Sequence, residues 1–143
     1  MGAMTTAPIP ERARTILTGL RVGFVATTRP DGQLSVVPVG VMLDGDVLRI
    51  STPSDTFKVR NLRADPRVAV CVADPQDARH YVEVRGTAEL ADDVDRIFID
   101  RIAREYMGAD EYPYESRDVS RTIITVHPTR ISMPRVHGSP KED

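Results

Sequence analysis

Hydrophobic and polar residues alternate along most of this 143-residue chain, and short helical patterns interrupt the alternation. Residues 8–18 open with such a pattern: Pro10 and Glu11 suit a first helical turn and Gly19 suits its end. Residues 21–29, RVGFVATTR, change to the β-branched composition of a strand. Pro30-Asp31-Gly32 is a turn, because proline presets φ and glycine accepts a positive φ. Residues 33–43 form a second strand, expected to bulge at Pro38 and Gly40. Asp44-Gly45-Asp46 supplies a tight turn into a third strand over residues 47–51. No helix separates these strands, so an antiparallel meander is favoured over a doubly wound parallel sheet.

Residues 52–64 read as a helix, with Thr52 as cap, Pro53 at the first helical position and Asp55 in capping-box spacing. Asp65-Pro66 ends it, and residues 67–73 form a short buried strand. A loop over residues 74–79 leads to a long alternating strand, residues 81–90. There Tyr81, Glu83, Arg85, Thr87 and Glu89 share one face, and Val82, Val84, Gly86, Ala88 and Leu90 the other. Residues 92–107 are an amphipathic helix with Val94, Ile97, Phe98, Ile102 and Tyr106 at helical spacing. Asp92, Asp93 and Asp95 at its start complement the helix dipole. After a loop carrying Tyr112 and Tyr114, residues 121–127 form a further strand and residues 129–133 a last one. This pattern predicts a mainly β fold with peripheral α-helices: an antiparallel barrel, closed or nearly so, which removes exposed strand edges. One domain is expected over residues 10–135, flanked by residues 1–9 and a frayed 136–143, with Met1–Ala3 read as an expression remnant before Met4.

Composition narrows the chemistry. A formal net charge of -2 argues against a general nucleic-acid binder. The single cysteine, Cys71, excludes an intramolecular disulfide and a multi-cysteine zinc site, and fits a reducing cytoplasm. It lies in an apolar strand and reads as an inert thiol. His80, His127 and His137 have no ligand spacing, so no metal is expected. No apolar run approaches the roughly 20 residues that span a bilayer. Glu83 and Arg85 read as a charged sheet face.

The informative stretch is residues 50–68. A strand end rich in hydroxyls runs into a helix start, where unpaired N–H groups and the helix dipole both favour an anion. Lys58 and Asn61, three apart, can project together, while Thr56, Arg60, Arg63 and Arg67 form a neighbouring stripe. Hydroxyls of Ser51, Thr52 and Ser54 could complete a phosphate cradle. The alternative is a solvated basic helix face with an ordinary cap.

Within it, the run from Lys58 to Val68, KVRNLRADPRV, resembles the signature of the pyridoxamine 5′-phosphate oxidase-like, FMN-binding split-barrel superfamily. It is similar in particular to the branch using the deazaflavin coenzyme F-420. The segments FVATT, PDG and VVPV (residues 24–39), LDGD and IST (43–52), VRGTA (84–88) and HPTRI (127–131) carry weaker likeness, so the resemblance spans residues 12–134.

The resemblance implies a homodimeric split barrel that binds coenzyme F-420, favoured, or FMN. Lys58 would hold the cofactor phosphate, with Ser51 and Thr52 nearby and Thr56, Phe57 and Asn61 on the adjoining helix start. The ring would lie against Ser35, Val36, Val37 and Pro38 at the dimer interface. Two departures stand out. Thr56 replaces an arginine common in relatives, and Val39, Gly40 and Val41 replace an aromatic residue, leaving Tyr112 or Tyr114 as possible covers. The implied activity is an oxidoreductase transferring hydride to or from a small conjugated or heteroaromatic substrate, for which the chain offers no compelling catalytic carboxylate, triad or metal cluster. A non-catalytic flavin or phosphate-ligand protein is the main alternative. A true pyridoxamine 5′-phosphate oxidase is less favoured, since that activity usually needs further C-terminal arginines.

Overall fold

A computed structural model describes residues 6–133. Six strands and three helices follow in the order α1 (Glu11–Leu17), β1 (Leu20–Thr28), β2 (Leu34–Asp44), β3 (Val47–Pro53), α2 (Phe57–Ala64), β4 (Arg67–Asp74), β5 (Asp77–Asp92), a 3-10 turn (Val94–Arg96), α3 (Ile97–Tyr106) and β6 (Arg121–Ser132). The strands close into an antiparallel barrel in the order β1-β2-β3-β6-β5-β4. The mainly β architecture expected from the alternation is therefore present. No helix among the described residues is long and apolar enough to cross a membrane.

The alternation places one side chain of every pair inside. Val25, Leu48, Ile50, Val70, Val72, Val82, Val84, Ile124 and Val126 fill the barrel, each worth about 1.5–3 kcal/mol when fully buried. Ala13, Ile16 and Leu17 of α1 and Leu62 of α2 join that core. Met42, Phe98, Ile99 and Ile102 form a second cluster, where α3 packs against the outside with Leu20, Tyr112 and Ile123. The turns at Gly32 and Gly45 take positive φ, 87° and 61°, as their sequences require.

Five sequence expectations are corrected. First, β2 does not bulge at Pro38 or Gly40: its register with β1 runs unbroken from Leu20↔Met42 to Thr28↔Leu34. It joins β3 only through Met42–Asp44, so residues 34–41 have one unpaired side, where a strand tolerates proline. Second, Thr52 and Pro53 belong to β3, paired with Thr122 and Arg121, and the helix starts only at Phe57 without a side-chain cap. The inter-strand ladder outweighs the local capping-box pattern. Third, β5 continues to Asp92 and the helix begins later. Asp95 and Arg96 both take left-handed φ, 55° and 59°, while the Asp93 carboxylate accepts from the N–H groups of Phe98 and Ile99 at 2.8 and 3.0 Å. Fourth, the last two strands are one, with the register shifting at Arg85/Gly86 so that Thr129 is the extra residue. Fifth, the presumed loop over residues 74–79 is a tight turn, since β4 ends at Asp74 and β5 begins at Asp77. Residues 1–5 and 134–143, including the proposed remnant and the frayed end, lie outside the described residues.

Candidate phosphate site

The turn between β3 and α2 gathers the hydroxyls. Ser51 Oγ accepts a hydrogen bond from Arg121 Nε at 3.0 Å. Thr52 does not join it: it is 2% exposed on the inward face of β3 with Leu48 and Ile50, and its Oγ1 has no hydrogen-bond partner among the described residues. Ser54 Oγ lies 2.8 Å from Thr122 Oγ1, and Thr56 Oγ1 donates to the Pro53 carbonyl at 3.1 Å. Because no side chain caps α2, the N–H groups of its first turn keep their donor capacity for another acceptor.

Lys58 stands in that first turn, half-buried, and makes no ion pair among the described residues. Burial, followed by repulsion from the Arg121 guanidinium, holds its ammonium below the ordinary lysine range. A half-buried ammonium beside a second cation has an unmet demand for negative charge.

The other residues of the expected set divide. Phe57 is 66% exposed, with the Arg60 and Arg29 guanidiniums 5.0 and 5.8 Å from its ring centroid. Asn61 does not project beside Lys58. It is 3% exposed, and its Nδ2 donates to Thr27 Oγ1 at 3.0 Å, fastening α2 to β1. Thr27 is the register partner of Ser35, so this bond links the helix to the expected ring-binding strand. In that strand Val36 and Pro38 face outward, while Ser35 and Val37 are more covered and Val37 packs on the core. With Val22, Phe24 and Leu34 they leave an apolar strip exposed across β1 and β2.

The basic stripe also divides. Arg60 donates to the Asp55 carbonyl, Arg67 pairs with Asp65, and Arg79 pairs with Asp77. Tyr112 packs beneath Arg121, 5.0 Å from ring centroid to guanidinium carbon, and edge-to-face with the exposed Tyr114. Cys71 is opposite Phe24 and Glu83 on the outer sheet face, and burial and the Glu83 charge push its thiol up, consistent with low reactivity. Glu83 and Arg85 do pair, at 3.4 Å.

Sequence reasoning singled out neither Glu115 nor Arg96. Arg121 Nη1 donates to Glu115 Oε1 at 2.6 Å, and Arg96 Nη2 donates to the same oxygen at 3.1 Å. Local spacing holds no signal for this cluster, because Arg121 and Ser51 are 70 residues apart. A cavity of about 660 Å³ opens beside it, bordered by Ser54, Arg96 and Arg121 and by the acidic Asp92, Asp93, Asp95 and Asp118.

Comparison with known proteins bears on the family and the fold. The family model for pyridoxamine 5′-phosphate oxidase matches residues 9–133. The chain belongs to that family, a class of antiparallel barrels. Among solved structures it is similar to an F-420 reductase, at 35% identity and a TM-score of 0.76, covering 87% of this chain and 98% of that one. General stress protein 26 from Bacillus anthracis matches at 21% identity and TM-score 0.66, covering 86% of this chain and 91% of that chain. HupZ from Group A Streptococcus matches at 17% identity and TM-score 0.63, covering 87% and 93%. The latter two show the shared fold alone.

Proposed function

We propose that this protein is an oxidoreductase that holds a flavin-type cofactor by its phosphate at the β3–α2 turn. The observation that carries the reading is Lys58: a half-buried ammonium with no ion-pair partner among the described residues, beside Arg121 and at an uncapped helix start bordered by Ser51. These groups suit a phosphate. The F-420 reductase likeness favours coenzyme F-420 over FMN.

When bound, the cofactor supplies hydride transfer to or from a small conjugated molecule, and the chain supplies binding, orientation and exclusion of water. Lys58 would bind the phosphate, and Val36 and Pro38 would offer an apolar ledge to the ring. No acid–base dyad is required. A reducing cytoplasm suits the single cysteine.

Equilibrium titration with coenzyme F-420 and with FMN, followed by fluorescence, tests the reading. Both the wild type and Lys58→Ala should bind, the variant about 1.5–3 kcal/mol more weakly, as expected for one charge-assisted contact. Equal affinities would remove Lys58 from the site. Single-turnover oxidation of the bound reduced cofactor by quinones, enones and tetrapyrroles separates an enzyme from a binding protein; no turnover with any favours the latter.

The exposed strip of Val22, Phe24, Leu34 and Val36 supports a two-fold homodimer with the cofactor between subunits, because isolated surface apolar residues are common but a contiguous strip marks an interface. Sedimentation should give a dimer for the wild type and a monomer for Val36→Asp. A wild-type monomer that binds cofactor tightly would refute this arrangement.

A further inference from the structure

Two buried arginines share a single carboxylate beside β6. Arg96 and Arg121 are 6% and 7% exposed, yet both guanidiniums lean on one carboxylate, that of Glu115. Arg96 spends its two terminal nitrogens on Val119 O, at 2.6 Å, and on Glu115, which leaves its buried Nε without an acceptor. Arg96 also acts on the buried Asp100, so the surplus cationic demand is that of Arg121, whose one carboxylate is shared.

The surplus lies where the phosphate is expected. Arg121 is the β6 partner of Pro53, the last residue of β3, and its Nε donates to Ser51 Oγ. The Ser51 hydroxyl accepts that bond, so its own proton stays available for an oxygen of a ligand. Lys58 feels the charge of Arg121, and no acidic group pairs with Lys58 among the described residues.

We propose that Arg121 is the second cationic ligand of the phosphate group, acting together with Lys58 from a different element, and that Glu115 holds its guanidinium in place. This rests on the reading of the β3–α2 turn as a phosphate site. The ligand class is a phosphate ester, whether a terminal monoester or an internal diester. In either, Arg121 meets the phosphate and not the ring.

That distinction supplies the test. FMN and riboflavin share a ring and differ by the phosphate, so the ratio of their affinities isolates the phosphate contact. Arg121→Gln leaves Glu115 paired with Arg96, whereas removing Glu115 as well would strand the buried Arg96, so the single variant R121Q is used. R121Q should lower the FMN-over-riboflavin preference about tenfold while riboflavin affinity stays level; K58A should do the same. Coenzyme F-420 against its phosphate-free chromophore repeats the comparison for the diester. A wild type with no preference for the phosphorylated ring in either pair, unaltered by K58A, would defeat the phosphate site itself. A preference that K58A lowers and R121Q leaves intact would defeat only the role of Arg121, as would an equal fall in riboflavin affinity.

Discussion

Gly86→Ala should destabilise the barrel by about 3 kcal/mol, the upper end of ordinary overpacking. A Cβ built on Gly86 falls 2.1 Å from the His127 carbonyl oxygen, 2.9 Å from its carbonyl carbon and 3.2 Å from Pro128 Cα. All three obstacles are backbone, so no side chain can swing away. They are also fixed: Gly86 pairs with Pro128 where β6 carries its extra residue, and yielding there would disturb the longest ladder in the barrel. Gly40→Ala is the matched control, because its Cβ would meet only Leu20 Cδ1, at 3.3 Å. Urea unfolding should show a clear drop in midpoint for G86A and a change under about 1 kcal/mol for G40A. Similar midpoints would mean that the β5–β6 approach is looser than the backbone geometry states.

Gly86 also shows how far the sequence can be read. The alternating run around it set the inner and outer faces of β5 correctly, because period two depends only on the strand's own pleat. The extra residue at Thr129 was invisible, since a bulge is a property of the pair. The same division holds at the candidate site. Lys58 and Ser51 were legible because a helix start following a hydroxyl-rich strand end is a local pattern. Thr52-Pro53 was misread as the start of the helix, since the β6 residues that hold it in a strand lie far along the chain. Asn61 looked like a neighbour of Lys58 by helical spacing, but its amide bond to Thr27 turns it inward. The paired left-handed residues Asp95 and Arg96 contradict local preference outright, because neither is glycine. What holds Arg96 there is Glu115 and the Val119 carbonyl, contacts that no spacing rule contains.

The affinity for a phosphorylated flavin should fall on the alkaline side sooner than an ordinary lysine would permit. Lys58 grips an anion only while protonated. Its pKa lies below the usual 10.5, first because burial disfavours the charge and then because Arg121 repels it. The sign runs opposite for stability and for binding. In the ligand-free protein the unfolded chain binds more protons between the lowered value and 10.5, so stability rises with pH across that window. A bound phosphate stabilises the ammonium and lifts its pKa, so complex formation takes up protons there and weakens as pH rises. A phosphate monoester, with its second ionisation near pH 6, is already dianionic throughout, so the loss belongs to the protein. FMN titrations from neutral to alkaline pH should therefore weaken on the order of tenfold to a hundredfold, the value of one charge-assisted bond, once Lys58 is neutral. Lys58→Arg, which stays protonated, should flatten the profile, and riboflavin measured in parallel removes any titration of the ring. The same alkaline loss in K58R, with riboflavin level, would place the titrating group elsewhere.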